Sequence, residues 1–478
     1  MGSQYLCCIT LDIFVNIYYN YKGYFHFYET KGETGLSTQT KTEALRSAKE
    51  KLSQTKGHNV LSRLFDDGVF TEIDTFAKSQ GDFAEVIAAK GCVNGAPVFA
   101  YAQNKDLSGG AMSVAQSAKI KKLYDLALKT GTPVVAVYDS IGGRLSEGTQ
   151  LLAAYGDILR MSSNLSGVVP QISLVLGPCC GTQALIAVSA DIVVMSDKGS
   201  LSLATDGSDA DVKTNAKNGT AHITAEGEDA AINEVRRLIP LLPSNNLDYA
   251  GFPEFDEPDG DAILDGGSEI ELQKDYGCAV KTSLGTIEGT TVGIVATADK
   301  TLDGKACSKA ARFVRFCDAF GLSVITLVDA EKFGCLKAAA KLTSAYAEAT
   351  TAKITAIVGD AYGAVYTAVA GTGAAADITL ATVDACVSPL APEAAAVIAL
   401  GDDFGGALKG AKDPKAARAE VVAKFKEEKL SAMNAAANGY VEDIVEDSEL
   451  RAKIAAAVAM LSDKRVSTLP KKHNNLYI

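Results

Sequence analysis

The chain has 478 residues, of which 47% are hydrophobic and 22% charged, with a formal net charge of −12. That length is too great for one core and implies two domains of ordinary soluble composition. The acidic balance argues against nucleic acid as the main partner. Ten cysteines without metal-type spacing, beside four scattered histidines, fit reduced cytosolic thiols rather than a metal site or a disulfide framework.

Residues 1–57 read as an N-terminal extension. Six of the seventeen tyrosines fall within the first 28 residues, and neither a basic n-region nor a small-residue cleavage pattern marks a signal peptide. That segment is expected to be an accessory piece or a mistaken start. A helical patch follows at Glu43–Leu52, and the globular part is expected from near Val60. From Gly91 the pattern becomes regular. A strand at Val98–Ala102 leads into the turn Ser108-Gly109-Gly110-Ala111. Met112–Lys129 has helical spacing, with apolar Ile120, Leu123 and Tyr124 and a Lys119/Lys121/Lys122 face. Gly131-Thr132-Pro133 ends that helix. A buried strand at Val134–Tyr138 then enters Asp139-Ser140-Ile141-Gly142-Gly143-Arg144, and another helix is expected over Thr149–Ser162.

The next stretch organises the chain. It reads as an apolar strand (Gln171–Leu176), a tight glycine turn (Gly177–Gly181), a small-residue helix and a second strand ending at Met195. Met161–Ala190 carries no charge over thirty residues, which is long enough to span a bilayer, but Pro170, Gly177-Pro178 and Gly181 interrupt it. A buried strand–turn–helix is the better reading. Such a turn leaves N–H donors without partners at the positive end of a helix, a site for a negatively charged oxygen. Downstream, Leu242–Gly267 is rich in Pro, Asp, Glu and Gly and reads as an acidic linker. Helices are expected at Lys412–Lys429 and Glu449–Ser462.

The second half repeats the first. VNGAPVFAYAQ from Val93 is echoed by IEGTTVGIVAT from Ile287, and KIKKLYDLALKTGTPVVAVYDS from Lys119 by KAARFVRFCDAFGLSVITLVDA from Lys309. This sets Asp139 over Asp329. PQISLVLGPCCG then falls on AKITAIVGDAYG, with Gly177 over Gly359 and Gly181 over Gly363. One glycine turn is a common packing feature of α/β proteins, whereas two at equivalent positions imply two anion sites. No catalytic triad, nucleophile-elbow serine, phosphate-loop lysine or CxxC pair accompanies them. Chemistry without a dedicated side-chain base rests on backbone donors and positioning.

At GVVPQISLVLGPCCG (Gly167 on), DSIGGRLSEG (Asp139 on), SGGAMSVAQSAKI (Ser108 on), the Lys309 stretch, AYAEATTAKIT (Ala345 on), DAYGAVY (Asp360 on) and the C-terminal GYVEDIVEDSELRAKIAAAVAMLSDKRVSTLPKKHNNL, the chain resembles a known family. This is the carboxyltransferase subunit of biotin-dependent acyl-CoA carboxylases and decarboxylases, of the propionyl-CoA carboxylase beta and methylmalonyl-CoA decarboxylase alpha kind. The resemblance implies an α/β fold of two tandem crotonase-like (ClpP/crotonase) domains, a ββα-superhelix. Residues 58–268 would bind acyl-CoA and residues 269–478 biotin. It implies transfer of a carboxyl group between biotin and the α-carbon of an acyl-CoA such as propionyl- or methylmalonyl-CoA, with an oxyanion hole for each partner's enolate-like species.

Carried over residue by residue, the acyl-CoA oxyanion would sit at Gly181 and Thr182, and the biotin oxyanion at Ala364 and Val365. Ser108, Gly109, Gly110, Ala111 and Met112, with Gly142, Gly143, Arg144 and Cys180, would line the acyl-CoA pocket. Gly363 and Thr367 would complete the C-half site, Thr367 standing where the family sets acyl-chain choice, and Arg144 and Lys119 would be phosphate contacts. Cys179 and Cys180 read as packing residues. The chain has no Met-Lys-Met biotinylation sequence and no ATP-dependent carboxylase module. Biotin would therefore ride on a separate biotin carboxyl carrier protein, alongside a biotin carboxylase subunit or a membrane decarboxylase subunit. A cytoplasmic homodimer or hexamer, not itself membrane-spanning, with active sites between opposite halves, is implied. The sequence departs from the family pattern at Thr182, at Ala364-Val365 and at Asp329–Cys335, where Glu331 and Lys332 bring charges to the biotin side. Two alternatives stay open: a biotin-independent crotonase-type acyl-CoA enzyme, and a non-catalytic scaffolding paralogue.

Overall fold

The computed structural model describes residues 38–203, 210–260, 262–409, 412–466 and 470–471. The tyrosine-rich first 35 residues, with Cys7, Cys8 and His26, lie outside the described residues, as does His473. Residues up to Leu52 form one unit, seen as the helix Thr38–Ser53 around the patch expected at Glu43–Leu52. From Ser53 onward the chain is a second compact unit.

That unit contains two sheets built to one plan. In the N-half the strand order is Phe70–Ile73, Val86–Val93, Ala96–Gln103, Val134–Tyr138, Gln171–Val175, Ile192–Ser196, Ile223–Ala225. In the C-half it is Ile270–Leu272, Val280–Ile287, Thr290–Thr297, Ser323–Ala330, Lys353–Tyr362, Ile378–Thr382, Asp443–Val445. In each sheet the first two pairings are antiparallel and the remaining four parallel. Parallel neighbours need crossovers, and the helices Val114–Thr130, Gln150–Leu165, Gly304–Ala319 and Leu336–Glu348 supply them. The central strands are buried on both faces, which explains their largely apolar sequences. Both halves contribute to one core cluster, from Val60 to Val441. The halves are also joined by polar contacts: Gln273 N–H donates to His222 O at 2.7 Å, and Arg312 donates to Ala190 O (3.2 Å) and Asp191 O (2.9 Å).

The repeat extends to atoms that the sequence match does not reveal. Each half opens with a hairpin whose turn residues have positive φ, Asn94-Gly95 in one and Glu288-Gly289 in the other. In each, a single carboxylate accepts both turn N–H groups. Asp66 takes Asn94 and Gly95 at 2.9 Å each, and Asp265 takes Glu288 and Gly289 at 3.0 and 2.9 Å. Each carboxylate also meets an arginine, Arg236 at 2.8 Å and Arg451 at 2.7 Å. Glu288 tolerates its left-handed backbone because Asp265 secures the turn.

The uncharged segment Met161–Ala190 divides among helix, strand and turn, and among the described residues no helix is long and apolar enough to cross a membrane. The strand expected to end at Leu176 stops at Val175. The Gly177–Gly181 turn contains a further short strand, Pro178–Cys180, paired in parallel with Ser200–Ser202. The described residues of Leu242–Gly267 hold only an isolated bridge, Asp256 to Gly266. The tail helices run Pro414–Lys429 and Asp447–Leu461.

Partial burial pushes the Asp66 and Asp265 carboxyls up, but the turn N–H donors and the arginines outweigh it and hold both below the usual range. Their stabilisation is therefore present above the ordinary carboxylate pKa and lost as pH falls through the lower folded value. Asp66→Asn and Asp265→Asn should each cost about 1–2 kcal/mol at neutral pH. In chemical denaturation followed from neutral to acid pH, each variant should converge on the parent chain.

Candidate active site

In the N-half, Gly181 ends the short strand with φ +66 and ψ −140, a conformation that favours glycine, and its N–H donates to Ser202 O at 2.8 Å. The helix Thr182–Val188 starts at the next residue. The N–H groups of Thr182 and Gln183 head that helix and have no carbonyl one turn earlier to bond. Gly181's own donor is committed to Ser202, so Gly181 shapes the turn and Thr182 is the first donor past it. Gln183 is fully buried, and its side-chain amide makes no hydrogen bond among the described residues. Burial pushes the Cys179 thiol well up, which keeps it protonated as a packing group. Cys180 is half-buried in the adjoining strand.

The loops expected around this turn do converge on it. Ser140 N–H donates to Pro178 O at 2.8 Å, Ile141 N–H to Gly109 O at 3.1 Å, Met112 N–H to Gly142 O at 2.8 Å and Arg144 N–H to Met112 O at 2.8 Å. A Cβ on Gly110 would lie 2.6 Å from Asp139 O, and one on Gly143 would lie 2.4 Å from Leu151, so both glycines permit close approach. Ser108–Met112 and Ile141–Arg144 therefore brace one another, and Ser140 ties them to the turn at Pro178.

The two expected phosphate contacts are otherwise engaged. The Arg144 guanidinium pairs with Glu85, which is fully buried, and donates to Ser79 (3.0 Å) and Ser108 (2.8 Å). Lys119 points inward: it is 3% exposed, and Nζ donates to Val86 O at 3.0 Å. Burial pulls its pKa down to about 8. Lys121 and Lys122 are the outward pair of that face, bonded to Asp157 and Asp74. Lys309, the counterpart of Lys119, is likewise buried, with Nζ 2.9 Å from Gln273 O.

In the C-half the strand Lys353–Tyr362 runs on through the position where its counterpart broke, and Asp360–Tyr362 pairs with Cys386–Ser388. Gly363 has φ +47, and its N–H donates to Ser388 O at 2.8 Å, repeating the Gly181–Ser202 bond. Ala364 and Val365 begin a helical turn that widens to a π-helix over Tyr366–Ala370. Beside them lies a cavity of ≈ 710 Å³, lined in part by Phe333, Leu336, Tyr362, Gly363, Ala364 and Leu390. Glu331 and Lys332 also line it, placing the two expected charges at this site. Val365 is fully buried, leaving only its backbone as a candidate contact, and Thr367 is exposed, off the cavity wall, with Oγ1 donating to Gly363 O at 3.1 Å. Sequence reasoning missed Tyr362, whose hydroxyl donates to Asp360 at 2.7 Å. Its place before Gly363, matching Cys180 before Gly181, was the available signal.

The carboxyl transferase domain model matches residues 58–265 and 261–476. The propionyl-CoA carboxylase beta chain of Saccharopolyspora erythraea is 33% identical, over 87% of this chain and 89% of its own. The methylmalonyl-CoA decarboxylase subunit alpha of Propionigenium modestum is 32% identical, over 87% and 92%. Among solved structures, the transcarboxylase 12S hexamer with hydrolysed methylmalonyl-CoA bound superposes with a TM-score of 0.85 at 28% identity, covering 93% of this chain and 100% of that one. The chain belongs to the carboxyl transferase family, with two tandem crotonase-like α/β domains, and is an acyl-CoA carboxyltransferase.

Lys119→Met should leave the KM for acyl-CoA unchanged. Because the folded lysine titrates lower than the unfolded one, the parent chain gains stability as pH rises between about 8 and the ordinary value near 10.5. Denaturation of both proteins across that window should show the difference between them moving in the parent's favour by roughly 3 kcal/mol. Arg144→Ala strands a buried carboxylate and should cost about 3–5 kcal/mol. Adding Glu85→Gln should recover part of that loss in a double-mutant cycle.

Proposed function

We propose that the two turns divide one reaction between them: the N-half turn receives the thioester oxygen of an acyl-CoA, and the C-half turn the ureido oxygen of a biotin borne by a separate carrier protein. The observation that carries this reading is the matched pair of bonds, Gly181 to Ser202 and Gly363 to Ser388 at 2.8 Å each, each immediately before a helix start. Thr182 N–H, with Gln183 N–H behind it, would meet negative charge developing on the thioester oxygen as the α-carbon gains or loses a carboxyl group. Backbone donors fixed in advance need no reorganisation at that moment. The bracing of Ser108–Met112 on Gly142–Arg144 would hold the acyl chain in reach.

A biotin ring system is compatible with the C-half cavity. The volume is ample, Phe333, Leu336 and Leu390 offer apolar walls, and Ala364 is among the lining residues. The carrier-borne group supplies the carboxyl. This chain's part is to bind it, orient it and stabilise its oxygen. Propionyl- or methylmalonyl-CoA is the substrate class named for the relatives and the one proposed here. A hexamer like that of transcarboxylase 12S is the proposed assembly, working with a biotin carboxyl carrier protein and either a biotin carboxylase or a membrane decarboxylase subunit.

Thr182→Pro removes one donor at the first helical position, where proline is well accommodated. It should lower kcat for methylmalonyl-CoA decarboxylation in the presence of free biotin by about 10²–10³-fold with the fold intact. Near-parent activity would refute the N-half assignment, and turnover that does not need biotin would refute the C-half one.

A further inference from the structure

Four residues before Gly181 and before Gly363 stands a glycine with no room for a side chain. A Cβ on Gly177 would lie 2.1 Å from the Asp139 carboxylate, and one on Gly359 would lie 2.2 Å from the Asp329 carboxylate. These aspartates are repeat-equivalent, Asp139 just past the central strand Val134–Tyr138 and Asp329 near the end of Ser323–Ala330, and each fills the space left by its glycine. Neither carboxylate stands alone. Asp139 is 3% exposed and meets Lys56 Nζ at 2.8 Å and Lys105 Nζ at 3.3 Å. Asp329 pairs with Lys300, which also holds Asp360 at 2.6 Å.

Each cluster takes one cation from the loop after its third strand, Lys105 past Ala96–Gln103 and Lys300 past Thr290–Thr297, and the N-half adds Lys56 from the helix Lys56–Leu64, before the repeat begins. The difference extends to the turn itself. Asp329 accepts the N–H of Asp360 at 2.8 Å, the residue after the glycine. The matching residue in the N-half is Pro178, which has no N–H to give. The Asp139 oxygen so deprived makes no hydrogen bond among the described residues, and Lys105 is the cation beside it. Both halves thus set a lysine-paired carboxylate behind the glycine; the N-half, which lacks the backbone donor, adds a second lysine to a carboxylate that is buried, where Asp329 is partly exposed and holds the Asp360 N–H.

We propose that Asp139 and Asp329 are positioning residues, one for each half-site. Each locks the strand end that feeds its own donor turn and acts on one of the two substrates only. The proposal rests on the two-turn reading of function and deepens it. Asp139 serves the acyl-CoA side through Pro178–Thr182, and Asp329 serves the biotin side through Asp360–Val365.

The test uses the full chain carrying Asp139→Asn or Asp329→Asn, which keep the side chain's size and remove its charge. A space-filling role predicts that both are silent. Amide hydrogen exchange should instead speed up by about tenfold or more, the loss expected for one charge-assisted bond, over 360–365 in Asp329→Asn and over 179–185 in Asp139→Asn, each leaving the other turn unchanged. In turnover of methylmalonyl-CoA with free biotin, Asp329→Asn should raise the KM for biotin and leave that for acyl-CoA alone, and Asp139→Asn the reverse. If either variant fails to fold, Lys300→Met and Lys105→Met keep the carboxylate, remove a cation and should give the same local pattern. Unchanged exchange at both turns, or equal loosening of both by a single substitution, overturns the proposal. A parent chain without biotin-dependent turnover would count against the functional reading, while the exchange data would still decide the positioning role.

Discussion

Everything near the two candidate sites depends on a steric constraint: Gly177 and Gly359 sit against carboxylates where no side chain fits. The constraint fixes the chain's position four residues before each turn glycine. It also puts the next residues in line with a second short strand, Ser200–Ser202 or Cys386–Ser388, which captures the N–H of Gly181 or Gly363. Once that N–H is taken, the chain turns at positive φ into a helix, and the following donors face outward. A carboxylate behind each glycine and a carbonyl beside each turn together produce the geometry proposed to bind an oxygen. No side chain at the turn has to take part in the chemistry, which is why a chain without a triad or a metal motif can still be an enzyme.

The halves share this plan and fill it differently. Pro178 and Cys180 in the N-half stand opposite Asp360 and Tyr362 in the C-half. The N-half turn is tied at Pro178 to the glycine-rich loops through the Ser140 N–H, whereas the C-half turn borders a cavity with apolar walls and a charged rim. The repeat supplies two equivalent turns, and divergence around them gives each its own neighbourhood. That is the physical basis for assigning them different substrates.

Much of this was legible in the sequence. Val134–Tyr138 is an unbroken apolar run ended by Asp139, and it is a strand with those bounds. The repeat predicted the second sheet and set Gly181 over Gly363, and their backbone bonds match. What stayed hidden concerns direction and pairing. Lys119, Lys121 and Lys122 look alike in sequence, but the sheet lies beneath only the first, so its amine is buried while its neighbours reach Asp157 and Asp74. Arg144 reads as an anion contact until Glu85, 59 residues earlier, is found beneath it. The short strand Pro178–Cys180 could not be read locally, because its partner lies beyond the next helix and strand. Thr367 turned back on Gly363 through a helical hydroxyl-to-carbonyl bond, an alternative open to any threonine on a helix.

The central claim is that the two turns hold two different oxygens. A crystal structure of the chain with a non-reactive acyl-CoA thioester and free biotin bound together tests it directly. The account predicts the thioester oxygen within hydrogen-bond distance of Thr182 N and the ureido oxygen of biotin within the same distance of Ala364 N or Val365 N. Both ligands at one turn, or biotin bound away from the cavity beside Tyr362 and Ala364, would contradict it.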